Sequence, residues 1–147
     1  IELRLTRSLA RGGTPLARLD GWIDELLDLL AAHPSAARLL LRSLFEDDDL
    51  SGASPEERAV EKVTERIFAA ASNLLREGME SGAFRMASIP HTIQSLVGLT
   101  VYHFATGEFG EELVGQSLFA PVQVRKRKEE IKALLHHGLV ARGSETR

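Results

Sequence analysis

The side chains that could carry chemistry are few and scattered. The chain has five histidines and no cysteine, which removes thiolate metal sites, disulfides and a cysteine nucleophile. His136 and His137 are adjacent, so a helix points them about 100° apart and denies them the shared face that a metal pair needs. His91 and His103 stand far in sequence from any carboxylate that could orient a general base. They read as hydrogen-bonded lining, and a small all-α enzyme using one of them as base is kept as the alternative. No serine has a nucleophile-elbow context, and no glycine loop follows a strand, so acyl transfer and phosphate cradling have no support.

Two charged runs invite a ligand and then argue against it. Asp47-Asp48-Asp49-Leu50-Ser51-Gly52 begins like a calcium loop, with oxygens at alternate positions and glycine at the sixth. The twelfth position, which should be a bidentate glutamate, is Arg58. A cation there opposes Ca²⁺, and the segment reads as a solvated acidic loop. Arg125-Lys126-Arg127-Lys128 has the composition of a nucleic-acid patch, but Glu129 and Glu130 follow at once. Arg125/Glu129 and Lys126/Glu130 have the i,i+4 spacing of surface pairs, so the run reads as a solvated helix face. No catalytic residue, metal or cofactor is expected.

What remains is a set of bulky apolar groups. Trp22, Leu41, Phe45, Phe68, Met79 and Phe104 are spread over several elements, with His103 as a polar handle among them. Placed between packed helices, such groups line either a plain core or an apolar ligand pocket. The elements that position them have helical period throughout. Thr14-Pro15 is an N-cap followed by a first-turn proline, and Leu16, Leu19, Ile23, Leu26, Leu27 and Leu30 make the stripe of the next helix. His33-Pro34 stops it, and Ser35 caps a helix with Ala37, Leu40, Leu41, Leu44 and Phe45 inward. Ser54 and Glu57 have capping-box spacing ahead of the longest helix, which runs to about Ser81 with Val60, Val63, Ile67, Ala71, Leu74 and Gly78 on one face. Gly82 closes it. Residues 107–120 read as a glycine-bearing connection, and Pro121 opens a last amphipathic helix. With no period-2 alternation anywhere, the expected fold class is all-α, an antiparallel bundle of five to six helices in a single domain.

Between Arg85 and Glu108 there is no charged side chain, in a chain that is 27% charged. Ser88 and Pro90 suit a helix start there and Gly107 a stop. Ile93, Leu96, Val97, Thr100 and Phe104 share one side; Ser95, Gly98, Leu99 and Tyr102 lie opposite. A helix uncharged on both sides is expected to be covered on both. The apolar run is about half the roughly 20 residues that a bilayer span requires, so no membrane helix is expected.

Eighteen basic against twenty-one acidic residues give a net charge of -3, without the basic surplus of a compact DNA-binding domain. The absence of cysteine and of a visible signal peptide suggests a reducing cytoplasmic setting. The chain opens on Ile1-Glu2-Leu3-Arg4-Leu5, which has the pattern of a helix interior, and a preceding N-terminal part is expected to be missing.

The order of these features, rather than any one of them, resembles a known family. A helix ends at Ala31-Ala32-His33-Pro34, and Ala36-Ala37-Arg38-Leu39-Leu40-Leu41-Arg42 follows. Later come Glu77-Gly78-Met79-Glu80-Ser81-Gly82-Ala83-Phe84-Arg85, then Leu96-Val97-Gly98-Leu99-Thr100-Val101-Tyr102, then a helix ending Leu134-Leu135-His136-His137-Gly138-Leu139. This resembles the C-terminal regulatory domain of the tetracycline-repressor (TetR) family of transcription factors, from the tail of that family's fourth helix onward. The resemblance implies a homodimer formed by the last two long helices, about 88–106 and 121–140. Ser95, Gly98, Leu99, Tyr102, Ile131, Leu134 and Leu135 would form its interface. It also implies an apolar small-molecule effector held by Trp22, Leu41, Phe45, Phe68, Met79, His103 and Phe104. DNA would be read only by an N-terminal helix-turn-helix absent from this sequence. A purely structural helical interaction domain is the remaining alternative.

Overall fold

The computed structural model describes residues 2–10, 12–45 and 54–142. Seven helices follow one another there: α1 Glu2–Ala10, α2 Pro15–Ala32, α3 Ala36–Phe45, α4 Pro55–Glu80, α5 over residues 89–105, α6 Glu108–Val114 and α7 Pro121–Gly138. Among the described residues there is no strand, only a bridge between Phe84 and Val140. The acidic run 47–52, read as a solvated loop, lies outside the described residues.

Helix α2 is enclosed along its apolar side. The Thr14 hydroxyl accepts from the Ala17 N–H at 3.2 Å and Pro15 occupies the first turn, as the sequence suggests. Leu19, Trp22, Ile23, Leu26, Leu27 and Leu30 are all buried, and each such side chain contributes about 1.5–3 kcal/mol. Two polar edges fix its position. On one, Arg18 donates to the Leu9 carbonyl at 2.8 Å and pairs with Glu77 at 2.5 Å, tying α1, α2 and α4 together. On the other, aspartates four residues apart face α7 running the opposite way. Asp28 meets Lys128 at 2.6 Å, Asp24 meets Lys132 at 2.6 Å, and Asp20 meets His136 at 2.9 Å. The basic run is therefore not one solvated face. Lys128 reaches α2, and Arg127 turns inward to donate to the Leu99 carbonyl at 2.8 and 3.2 Å.

Helix α4 ends at a close approach. A Cβ on Gly78 would lie 2.1 Å from Cδ2 of Phe84, so glycine is what lets that buried ring lie against the helix. Gly82, at φ 77°, then turns the chain. Residues 83–88 run along the end of α7: the Arg85 N–H donates to Leu139 O at 2.8 Å, the Ala141 N–H to Ala83 O at 3.0 Å, and the Arg85 side chain to Gly138 O.

Helix α5 departs from expectation in two ways. Ser88 is its N-cap by backbone geometry, but the Ser88 side chain makes no capping bond. Instead its carbonyl accepts from both the N–H and the hydroxyl of Thr92, at 2.9 and 2.8 Å. The helix is also not uniform. Ile89–Val97 is α-helical, Gly98–Tyr102 forms one π turn, and His103–Ala105 resumes the α form. The extra residue in the wide turn brings Val101 into the core beside Thr100.

The connection expected over 107–120 contains α6. Gly107 at φ 59° and Gly115 at φ 73° bracket it, and Glu108 and Glu111 favour its positive N-terminal end. Gly110 hid this helix in the sequence, glycine being a poor helix former. Its function is steric: a Cβ there would lie 2.2 Å from the Thr106 hydroxyl oxygen and 2.8 Å from Leu118.

Candidate ligand pocket and outward helix faces

A cavity of about 500 Å³ lies where α2, α3, the first half of α4 and the inner side of α5 diverge, with Leu5 of α1 at its edge. Helices that meet at angles leave such space when their ridges do not fill one another's grooves, and the size is that of a small-molecule site. Trp22, Leu26 and Leu29 come from α2, Leu39 and Leu40 from α3, and Val63, Ile67 and Phe68 from α4. The α5 wall is Ile93, Leu96, Val97, Thr100 and Val101. Leu39 and Ala59 are the exposed wall residues and mark the mouth. Among the described residues the polar side chains in the wall are Thr64 and Thr100, and the Thr100 hydroxyl donates to Leu96 O at 2.7 Å. No ionisable side chain lines the cavity among the described residues.

The helices around this space are those expected, but several of the side chains are not. Trp22 and Phe68 line it. Leu41 packs against the core outside it, and Phe45 is outside the residues whose side chains are described. Met79 is one of the buried core residues near the end of α4, past the half of that helix that reaches the cavity. Phe104 is 1% exposed, stacked on Phe119 at 5.3 Å between ring centroids. That is core packing, one turn beyond the cavity along α5.

His103 is not a handle inside the cavity either. Its ring sits edge-on to Phe104 at 5.0 Å, and Nε2 is buried without a hydrogen-bond partner. Burial first, and the Arg127 charge second, lower its pKa to about 4, so the imidazole is neutral. Burial likewise lowers the pKa of Arg127, which Glu130 partly opposes.

The expected interface residues divide. Ser95, Gly98 and Tyr102 face out from α5, Tyr102 at 58% exposure, and Leu99 is half-buried. Leu134 of α7 is also 58% exposed. Ile131 and Leu135, by contrast, are closed inside the chain's own core and have no surface to offer a partner; the last helix turns Leu134 outward where the sequence stripe grouped all three. Phe109 and Leu113 of α6, a helix the sequence pattern does not mark, and Val122 of α7 are further exposed apolar groups.

Among the described residues, no group of histidine and carboxylate side chains could hold a metal ion, and no helix is long and apolar enough to cross a membrane. The molecule is thus an all-α domain with an apolar cavity between its helices and an uncharged helix face turned outward. The family model for the tetracyclin repressor-like C-terminal domain matches residues 15–134, and the chain belongs to that family. Domains of this kind belong to transcription regulators, which are not enzymes. No curated protein is significantly similar to the chain.

Proposed function

We propose that this chain is the effector-binding and dimerisation module of a TetR-like transcription regulator, a single domain that controls DNA reading by an N-terminal helix-turn-helix outside this sequence. The observation that carries the reading is the apolar cavity of about 500 Å³ whose edge includes Leu5. By the family resemblance, α1 is the tail of the helix that leads to the reading head. A molecule seated between α2 and α5 touches the wall nearest α1. If it fits one position of that helix better than another, it shifts the spacing of two reading heads, with a coupling of about 1–3 kcal/mol. Dimerisation would use the outward side of α5, with Ser95, Gly98 and Tyr102, and the Leu134 edge of α7. An isologous pairing buries the same patch of both subunits.

Thermal unfolding against a diverse library of apolar molecules, with sedimentation equilibrium at micromolar concentration, tests both halves. A dimer whose melting temperature rises with some library members supports the reading. A monomer that no member stabilises contradicts it.

A further inference from the structure

We propose that the cavity selects a neutral, mainly apolar molecule carrying one hydrogen-bond acceptor, and that the acceptor binds the indole N–H of Trp22. The inference rests on the pocket reading above and narrows the chemistry of its occupant. Two observations carry it. The first is the wall: among the described residues every lining side chain is aliphatic, aromatic or threonine, so a carboxylate, phosphate or ammonium group placed against them would be buried with no opposite charge. That wall disfavours a charged occupant.

The second is Trp22 itself. It lines the cavity and is 4% exposed, yet Nε1 is buried and has no hydrogen-bond partner among the described residues. Buried indole N–H groups ordinarily find an acceptor, and an orphaned one destabilises the fold that contains it. Neither threonine of the wall accepts from it. In this conformation the N–H is closed even to water. For an acceptor in the cavity to reach it the indole must turn toward the occupant, and Trp22 is then the selecting group. A ketone, ester or ether oxygen meets this requirement; a hydrocarbon fills the space but leaves the N–H unpaired.

The test uses molecules of one shape and different polarity. Butylbenzene, butyrophenone and 4-phenylbutyrate are titrated by calorimetry into the full chain and into Trp22→Phe, which keeps an aromatic wall without the N–H. Butyrophenone is expected to bind the unaltered chain about threefold to tenfold more tightly than butylbenzene, the worth of one hydrogen bond. That preference should vanish in Trp22→Phe, and 4-phenylbutyrate should bind at least about tenfold more weakly than the ketone.

A second readout needs no variant. The chain has one tryptophan, so its indole N–H gives a unique proton resonance, which should move downfield with butyrophenone and not with butylbenzene. A ketone preference that survives Trp22→Phe, an indole resonance indifferent to the ketone, or equal binding of the carboxylate would overturn the inference. If butylbenzene binds and the ketone gains nothing, only the role of Trp22 falls. If none of the three binds the unaltered chain, the pocket reading falls with it.

Discussion

Truncating Phe104 and Phe68 to alanine separates packed core from cavity wall. Phe104 is 1% exposed, stacked on Phe119 at an interplanar angle of 29° and met edge-on by His103 at 5.0 Å. Its removal deletes the full transfer free energy of a buried ring, the aromatic contact, and the packing around the hole left behind. Such truncations cost about 3–5 kcal/mol, of which the aromatic pair accounts for about 0.5–1.5. Phe68 is only partly buried and stands against open space. Its loss widens an existing cavity, and partial burial sets the cost at about 1–2 kcal/mol. Urea unfolding at fixed protein concentration, followed by the fluorescence of the single buried tryptophan, measures both. With a slope of about 1.5–2 kcal/mol per molar urea, the two midpoints should differ by about 1 M. If Phe104→Ala costs no more than Phe68→Ala, then Phe104 also faces open space and the cavity extends one helical turn further along α5.

Three further outcomes follow from particular atoms. Gly78→Ala sets a methyl group 2.1 Å from the Phe84 ring and should cost about 1–3 kcal/mol by overpacking; an unchanged urea midpoint would show that the Phe84 ring moves aside freely. A Cβ added at Gly98 meets nothing within 4 Å among the described residues, so Gly98→Leu should leave the monomer fold intact while weakening self-association in sedimentation equilibrium by crowding the partner helix; an undiminished dimer would place the interface elsewhere. His103 has a pKa near 4 when folded and near 6.5 when unfolded. The unfolded chain therefore takes up its proton first on acidification, and stability falls as pH drops from 6.5 to 4. Urea midpoints across that range should fall less steeply for His103→Gln, and parallel curves for the two proteins would refute the assignment.

Much of the architecture is legible because helix period and punctuation agree. Thr14-Pro15, His33-Pro34, Pro55, Gly82 and Pro121 mark helix ends that the structure keeps, since each acts through local backbone geometry. Helix α6 escaped notice because three glycines within nine residues weaken the pattern, and the π turn of α5 has no local marker. The wall of the cavity was harder to read, for a physical reason. The stripe of α4 is apolar along its length, yet Val63 and Ile67 border open space while Leu74 and Leu75 are locked in core. Periodicity reports which side faces inward and is silent on how tightly that side is filled. The aspartates of α2 and their partners on α7 are about a hundred residues apart in sequence, beyond what i,i+4 reasoning can connect. The same reasoning grouped Ile131 with Leu134, although only Leu134 faces outward.

The proposed effector is a small apolar molecule seated between α2, α4 and α5. Intermolecular nuclear Overhauser effects between butylbenzene and the methyl groups of the chain test it directly. Cross-peaks are expected from the phenyl protons to Leu26, Ile67 and Ile93, which line that space on three different helices. Cross-peaks confined to exposed methyl groups such as Leu113 and Leu134, or none at saturating ligand, would contradict it.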